Sequence, residues 1–387
     1  MTIPPLDLGR TRERIARQLD ERWHRVLASS AFILGPEVGE FEETFAAFLG
    51  APGCVGVANG TDALLLALRA LGVGPGDDVV VPAFSFFATA EAVVLAGARP
   101  IFADVDARTL NLDPADAAAR VTEATVGVIG VHLYGRPFDV EAVSELCRQR
   151  GLWLVEDAAQ AHGATFAGRR VGTFGALATW SFYPTKNLGC FGDGGAVTGF
   201  DPELLERVRR LANHGQQGRY RHLEVGTNSR LDSLQAAVLN CRLPQLEGDN
   251  SRRREIACRY WGGLSGVGDV ALLEDPPGTF GVYHQLTIRT GRRDELAAHL
   301  RERGIGSAVH YPSPLHRQPA LAYLGEPPEL PVAEAAAREV LSLPMFPEMT
   351  DGEVDQVSAA VRGFFGEPGP PAATPAAASL PSSSTTT

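Results

Sequence analysis

One lysine, Lys186, stands in the glycine-rich loop of Leu177–Thr198 (LATWSFYPTKNLGCFGDGGAVT), with Trp180, Phe182, Tyr183 and Phe191 around it in sequence. Lysine is ordinarily a surface residue. Partial burial among aromatic rings would lower its pKa and leave a neutral amine able to attack a carbonyl carbon. Taken alone, the segment also fits a surface lysine whose stem lies along apolar neighbours. Upstream, Asp157 follows the apolar run Leu152–Val155, where a strand is expected to end. Ligands of open α/β sheets collect outside the carboxyl ends of strands. A carboxylate there can hold a protonated heterocycle nitrogen, or it can cap the next element. Nearer the N-terminus, ANGTDA at 58–63 joins a strand to a glycine turn and a helix start. Gly60 and Thr61 would there offer backbone N–H groups and a hydroxyl to a phosphate.

Each of these features is common alone. In this order, separated by about 100 and about 30 residues, they match the phosphate, ring nitrogen and aldehyde carbon of pyridoxal 5'-phosphate. Other cofactor signatures are missing. No GK[ST] follows the glycine turn, as a P-loop needs, and no GxGxxG stands there for a dinucleotide. The five cysteines, Cys54, Cys147, Cys190, Cys241 and Cys258, form no CxxC pair, so neither a zinc site nor a disulfide framework is predicted.

These residues need a scaffold, and the hydrophobic pattern supplies one. Strands are predicted at Cys54–Ala58, Asp78–Val81, Arg99–Val105, Thr125–Leu133 and Leu152–Val155, with helices at Asp62–Leu71 and Val140–Arg148. The strand runs lack polar alternation, as expected where both sheet faces are covered. Alternating strands and helices imply an α/β fold with a large, mostly parallel central sheet sandwiched by helices. After about Gln245 the pattern changes: helices at Glu255–Leu264, Asp294–Arg303, Val332–Leu341 and Gly352–Phe364 and a strand at Val282–Arg289 suggest a smaller C-terminal α+β domain. The expected division is an N-terminal helical segment at 1–30 packing on that smaller domain, a large cofactor-binding domain at 31–245, the small domain at 246–366, and a tail at 367–387. The tail, EPGPPAATPAAASLPSSSTTT, is too poor in large apolar residues to offset ordering entropy and is predicted to be disordered.

Composition narrows the function classes. The 387 residues are 44% hydrophobic and 21% charged, as in ordinary soluble globular proteins. A formal net charge of −11 argues against a nucleic-acid binder. No apolar run reaches the roughly 18 residues of a membrane span. The start, MTIPPLDLGRTRERIARQ, lacks an apolar signal core. With reduced thiols, a cytoplasmic protein is the expectation.

Longer motifs sharpen the picture: NGTDALLLAL at 59–68, EDAAQAHGA at 156–164, SFYPTKNLGCFGDGG at 181–195, NSRLDSLQAAVL at 228–239 and VHYPSPLHRQPA at 309–320. With these the chain resembles the sugar-nucleotide aminotransferases of DegT/StrS type, a branch of the fold-type I pyridoxal phosphate enzymes, from Pro5 to about Phe365. The resemblance implies that Lys186 binds the cofactor covalently and shuttles the proton, and that Asp157 pairs with the pyridine nitrogen. Gln160 would lie near the phenolic oxygen and Phe86 would stack on the ring. Gly60, Thr61 and Ser181 would hold the phosphate, and Asn228 would reach the phosphate of the partner subunit's cofactor in a homodimer with shared sites. Arg230, His310, Tyr311 and Tyr220 resemble residues that meet the sugar nucleotide. No metal is implied. Glutamate would donate the amino group, leaving 2-oxoglutarate and pyridoxamine 5'-phosphate, and a nucleotide-linked keto sugar would accept it.

Gln160, the stretch NHGQQGRYRH at 213–222 and HYPSPLH at 310–316 look most like relatives acting on 3-keto sugars, with 4-keto sugars the alternative. Related sugar dehydratases carry histidine in place of the lysine, and related regulators have degenerate sites. Lys186 and Asp157 are both present here.

Overall fold

The computed structural model describes residues 2–367. The tail predicted to be disordered therefore falls, beyond its first residue, outside the described residues.

From the N-terminus come α1 (Leu8–Ser29), α2 (Pro36–Leu49), β1 (Gly53–Val57), α3 (Gly60–Ala70), β2 (Asp78–Pro82), α4 (Ala88–Leu95), β3 (Arg99–Ala103), α5 (Pro114–Arg120), β4 (Thr125–Val131), α6 (Val140–Arg150) and β5 (Trp153–Asp157). The short strands β6 (Thr165–Phe166) and β7 (Arg169–Arg170) precede β8 (Leu177–Ser181), β9 (Gly195–Gly199), α7 (Pro202–Ala212), α8 (Ser233–Arg242) and α9 (Leu246–Leu264). The chain continues through β10 (Ala271–Leu272), β11 (Thr279–Phe280), β12 (Leu286–Arg289), α10 (Arg293–Glu302), α11 (Pro331–Glu339), β13 (Val340–Leu343) and α12 (Asp351–Phe364).

A seven-stranded sheet in the order β1-β9-β8-β5-β4-β2-β3 forms the centre. Only β9 runs against its neighbours, while the β2–β3, β4–β5 and β5–β8 pairs are parallel. Helices cover both faces, which explains the unbroken apolar strands: β2 and β9 are buried along their whole length. Glycine is required where large rings cross the sheet. A Cβ on Gly127 would lie 2.1 Å from the Trp153 indole, and one on Gly130 would lie 2.3 Å from Phe138. Because six strands share one direction, their carboxyl ends gather on one edge, and Asp157 is the last residue of β5.

The C-terminal part has its own core of Ile256, Tyr260, Leu286, Ile288, Leu296, Leu341, Phe346 and Val357 around the sheet β10-β12-β13. Two features differ from the sequence reading. Val340 and Leu341 belong to strand β13, not to the preceding helix: the apolar run VLSL pairs with β12 and is buried on every residue. Of the N-terminal segment 1–30, expected to pack on the C-terminal part, Ile3 is buried in that part's core and Leu6 packs against it, while helix α1 buries Ile15 and Leu19 with Phe41 and Phe45 of α2 and Trp180 of β8. Toward the C-terminal part, Arg10 of α1 pairs with Glu353 at 2.7 Å and lies over the Phe346 ring, and Arg14 pairs with Glu348 at 2.9 Å. The apolar stripe of the helix found the larger apolar surface.

Thr350 and Glu353 form a reciprocal capping box on α12. The Arg10 guanidinium beside it holds the Glu353 carboxyl down to about 2, below its ordinary 4.5. A carboxyl depressed in the fold stabilises above its unfolded pKa, and that contribution is lost as pH falls through the folded value. Glu353→Gln is therefore expected to destabilise by about 1–2 kcal/mol at neutral pH. The difference from the parent should shrink between about pH 4.5 and 2, as read by thermal melts across pH.

Candidate active site

Three loops at the carboxyl edge of the sheet bring the chemistry together. The turn after β1 starts α3, where Asn59 caps the helix: its Oδ1 accepts the Asp62 N–H at 2.8 Å, and its carbonyl accepts the Ala63 N–H at 3.0 Å. The N–H groups of Gly60 and Thr61 precede the first turn's bonds and have no partner within the helix. Gly60 lies against Ser181 at the end of β8, and a Cβ on Gly60 would stand 2.7 Å from the Ser181 Cβ. Helix N-terminus, glycine and serine thus form one cradle for an anion. Gly60→Ala is expected to disturb it and weaken binding of pyridoxal phosphate about tenfold, measured by absorbance titration of cofactor-free protein. An unchanged affinity would remove Gly60 from the cradle.

Asp157 is buried at the end of β5. Its Oδ1 accepts the Ala159 N–H at 3.2 Å and its Oδ2 the Thr89 hydroxyl at 3.1 Å. Burial pushes its pKa up, while these donors and the Lys186 charge hold it down. Lys186, half-buried in the β8–β9 loop, is pulled down to about 8 by burial, with the Asp157 charge opposing the shift. The Lys186 loop is fixed from below. Asn187 donates to Asn250 of α9 and to the Val282 carbonyl, both at 3.0 Å. Buried Arg242 donates to the Gly189 carbonyl at 2.6 Å and the Asn187 carbonyl at 3.1 Å.

A second group converges from the segment at 309–316. Gln160 Nε2 donates to the Tyr311 hydroxyl at 3.1 Å, and Gln160 Oε1 accepts the Tyr134 N–H at 2.5 Å. The Tyr134 hydroxyl donates to the His310 carbonyl. Tyr311 lies 5.9 Å from Phe86, ring centre to ring centre, and Phe86 is half-exposed. His310 Nδ1 meets Ser342 Oγ at 2.9 Å, and burial lowers its pKa to about 4, so its ring is neutral near pH 7.

The remaining residues singled out from sequence lie on the stretch after α7. Arg230 donates to Asn213 Oδ1 at 3.2 Å, and Asn213 bridges to Asn228 through the backbone. Asn228 is exposed. Tyr220 is 78% exposed, with Arg219 stacked over its ring at 5.1 Å. This loop is tied back to α7 by Arg207 and Arg210, which both pair with Glu224. Sequence reasoning passed over Thr89, Tyr134 and Arg242. Ser85 and Thr89 stand four apart in FSFFATA, a spacing that aligns side chains on a helical turn. Nothing local marks Tyr134 or Arg242, whose partners are far along the chain.

The residues present fit pyridoxal phosphate: an anion cradle that a Cβ would fill, a buried carboxylate with lone pairs to spare, and a lysine held partly neutral. Fold and site are those of a fold-type I, pyridoxal phosphate-dependent aminotransferase. The profile of the DegT/DnrJ/EryC1/StrS aminotransferase family matches residues 13–362, and the chain belongs to that family. It is 48% identical over 363 residues to the dTDP-3-amino-3,4,6-trideoxy-alpha-D-glucose transaminase of Streptomyces venezuelae, covering 93% of this chain and 95% of that one. It is also 45% identical to a pleiotropic regulatory protein of Geobacillus stearothermophilus, over 94% of this chain and 99% of the other. Among solved structures, S. venezuelae DesV in complex with a ketimine intermediate superposes with a TM-score of 0.91 at 47% identity, over 94% and 98% of the two chains. Among the described residues, no helix is long and apolar enough to cross a membrane.

Proposed function

We propose that this protein transfers an amino group from glutamate to the keto group of a nucleotide-linked sugar, with the 3-keto position as the acceptor. The observation that carries this reading is that one edge of the sheet holds buried Asp157, whose charge Lys186 feels, and the Gly60–Ser181 cradle. The 3-amino product in the name of the S. venezuelae relative supports the regiochemistry.

Bound here, pyridoxal phosphate supplies an aldehyde carbon that exchanges amino groups and a ring that accepts the electron pair left at a substrate carbon. Gly60, Thr61 and Ser181 hold the phosphate through backbone N–H and hydroxyl donors. Asp157, ionised, keeps a proton on the pyridine nitrogen. Lys186 would hold the aldehyde carbon, and its Nζ, when free and neutral, would be the base that moves the proton. Phe86 would cover the ring face, and Gln160, tethered to Tyr311, would hold the phenolic oxygen. The neutral ring of His310 and the tethered Tyr311 face the sugar, and Arg230 with the Arg219–Tyr220 pair receives the nucleotide diphosphate.

We infer a homodimer from the isolated chain's surface. Phe32, Ile33, Leu34, Phe86 and Tyr183 are all roughly half-exposed, the kind of apolar surface that a second copy can cover. Docking of a second copy would cover this surface and bring Asn228 and the Tyr220 loop to the partner's site. We assign residues 31–245 to the cofactor-binding domain and 246–366 to the smaller domain.

An absorbance titration between about 300 and 500 nm tests the whole reading. Glutamate should convert the bound cofactor to its amino form, and one nucleotide-linked 3-keto sugar should convert it back. Return with a 4-keto sugar alone would move the amination site. A cofactor band indifferent to glutamate and every other amino donor would refute the aminotransfer.

A further inference from the structure

The Asp157 carboxylate has to present one oxygen to the ring nitrogen, yet the terminal torsion of an aspartate side chain is broad and does not fix its own orientation. Something else must set it. Two protein donors do: the Ala159 N–H on Oδ1 and the Thr89 hydroxyl on Oδ2, at 3.2 and 3.1 Å. Thr89 lies in the first turn of α4 and is fully buried. Its hydroxyl is also 3.0 Å from that of Ser85, which is buried too. The direction of this chain follows from the chemistry. An ionised carboxylate only accepts, so the single Thr89 proton goes to Asp157, and the Ser85 proton must then go to Thr89 Oγ1.

We propose that Thr89 is a positioning residue for the reaction: with Ser85 behind it, its hydroxyl fixes the rotation of the Asp157 carboxylate so that its free lone pairs face the ring nitrogen. This rests on the pyridoxal phosphate reading of the site. The same turn carries Phe86, whose carbonyl accepts the Thr89 N–H at 3.2 Å. One short segment, 84–89, thus places the residue that covers the ring face and the residue that aims the ring's counter-charge. Nearby charged and titratable groups have other employment. The buried Glu156 side chain, next in sequence, is held by His132 at 3.1 Å and by the N–H groups of Gly172, Phe174 and Gly175. Lys186 approaches from the β8–β9 loop. Among the described residues, Thr89 is the side chain that donates a hydrogen bond to the Asp157 carboxylate.

The test compares Thr89→Val, which keeps the shape and removes the hydroxyl, with Thr89→Ser, which keeps the hydroxyl. Full-length protein stripped of cofactor is titrated with pyridoxal phosphate. It is also titrated with the deaza analogue, in which a ring C–H replaces the pyridine nitrogen. Losing a hydrogen bond to a buried charge corresponds to a change of about ten- to a hundredfold. Thr89→Val is expected to bind pyridoxal phosphate about tenfold or more weakly, with affinity for the deaza analogue within about twofold of the parent. Thr89→Ser should stay within about threefold for both. If Thr89→Val does not fold, Ser85→Ala carries the test, with an expected two- to fivefold loss for pyridoxal phosphate alone (roughly half a typical neutral hydrogen bond or more). Unchanged pyridoxal phosphate binding in the variant tested, or an equal loss with both ligands, overturns the proposal, since a merely structural role would not distinguish N–H from C–H. Failure of the parent protein to bind pyridoxal phosphate would overturn the cofactor reading itself.

Discussion

Replacing Lys186 by alanine is expected to abolish covalent attachment of the cofactor and to lower amino transfer by a factor on the order of 10³–10⁴. Two roles are lost together: the amine that captures the aldehyde carbon and the base that moves the proton. Lys186→Arg separates charge from nucleophilicity, because a guanidinium stays protonated throughout the working pH range. It should bind the cofactor without a covalent link and be as inactive as the alanine variant. The depressed pKa gives this prediction a second arm. An amine is nucleophilic only when neutral, so capture of pyridoxal phosphate by stripped protein should quicken as pH rises and level off above about 8. A lysine at its ordinary 10.5 would keep accelerating well beyond that. Borohydride reduction followed by peptide mass analysis checks the attachment. A labelled peptide persisting in Lys186→Ala would take the role away from Lys186.

The second large effect is expected at Asp157. Asp157→Asn is nearly isosteric and keeps an oxygen for the Thr89 hydroxyl, but a neutral amide cannot hold a proton on the pyridine nitrogen. Breaking a buried ion pair costs about 3–5 kcal/mol, so the rate constant for the half-reaction with glutamate should fall by roughly 10²–10⁴. Stability should move the other way or not at all. In the cofactor-free protein the charged carboxylate pays a desolvation cost that its partners offset only in part, as its raised pKa records. The melting temperature of stripped Asp157→Asn is therefore expected to equal or exceed that of the parent. Stopped-flow absorbance and thermal melts decide the matter together. A variant with parent-like transfer, or one that loses activity only because it unfolds, would contradict the assignment.

Much of this protein is written in local sequence. The unbroken apolar strands, the glycine turn before the helix at 60–70, the strand ending at Asp157 and the lone loop lysine Lys186 are short-range patterns. They dictate an α/β sheet and supply the three groups proposed to meet one cofactor. Such features are legible because a strand buried on both faces and a helix N-terminus each impose residue types within a few positions. The helix expected from Val332 to Leu341 shows the limit of that logic. The run VLSL carries no helical or strand period long enough to choose, and pairing with β12 made the choice.

Tertiary structure decided what depends on partners far apart in the chain. Helix α1 has an apolar stripe that sequence can find, but only the fold shows that the stripe meets α2 and β8 while Arg10 and Arg14 reach the C-terminal part. The lowered pKa of Lys186 comes from burial, and burial is a property of the assembled loop, pinned by Asn250 and Arg242 more than 50 residues downstream. Gln160 and Tyr311, separated by 151 positions, meet through one hydrogen bond. Thr89 is 68 positions from the carboxylate it holds. Sequence by itself determined which groups can do the chemistry, since that is a matter of residue type. Their protonation and aim were decided by the fold, because both depend on the water removed and the donors supplied by distant segments.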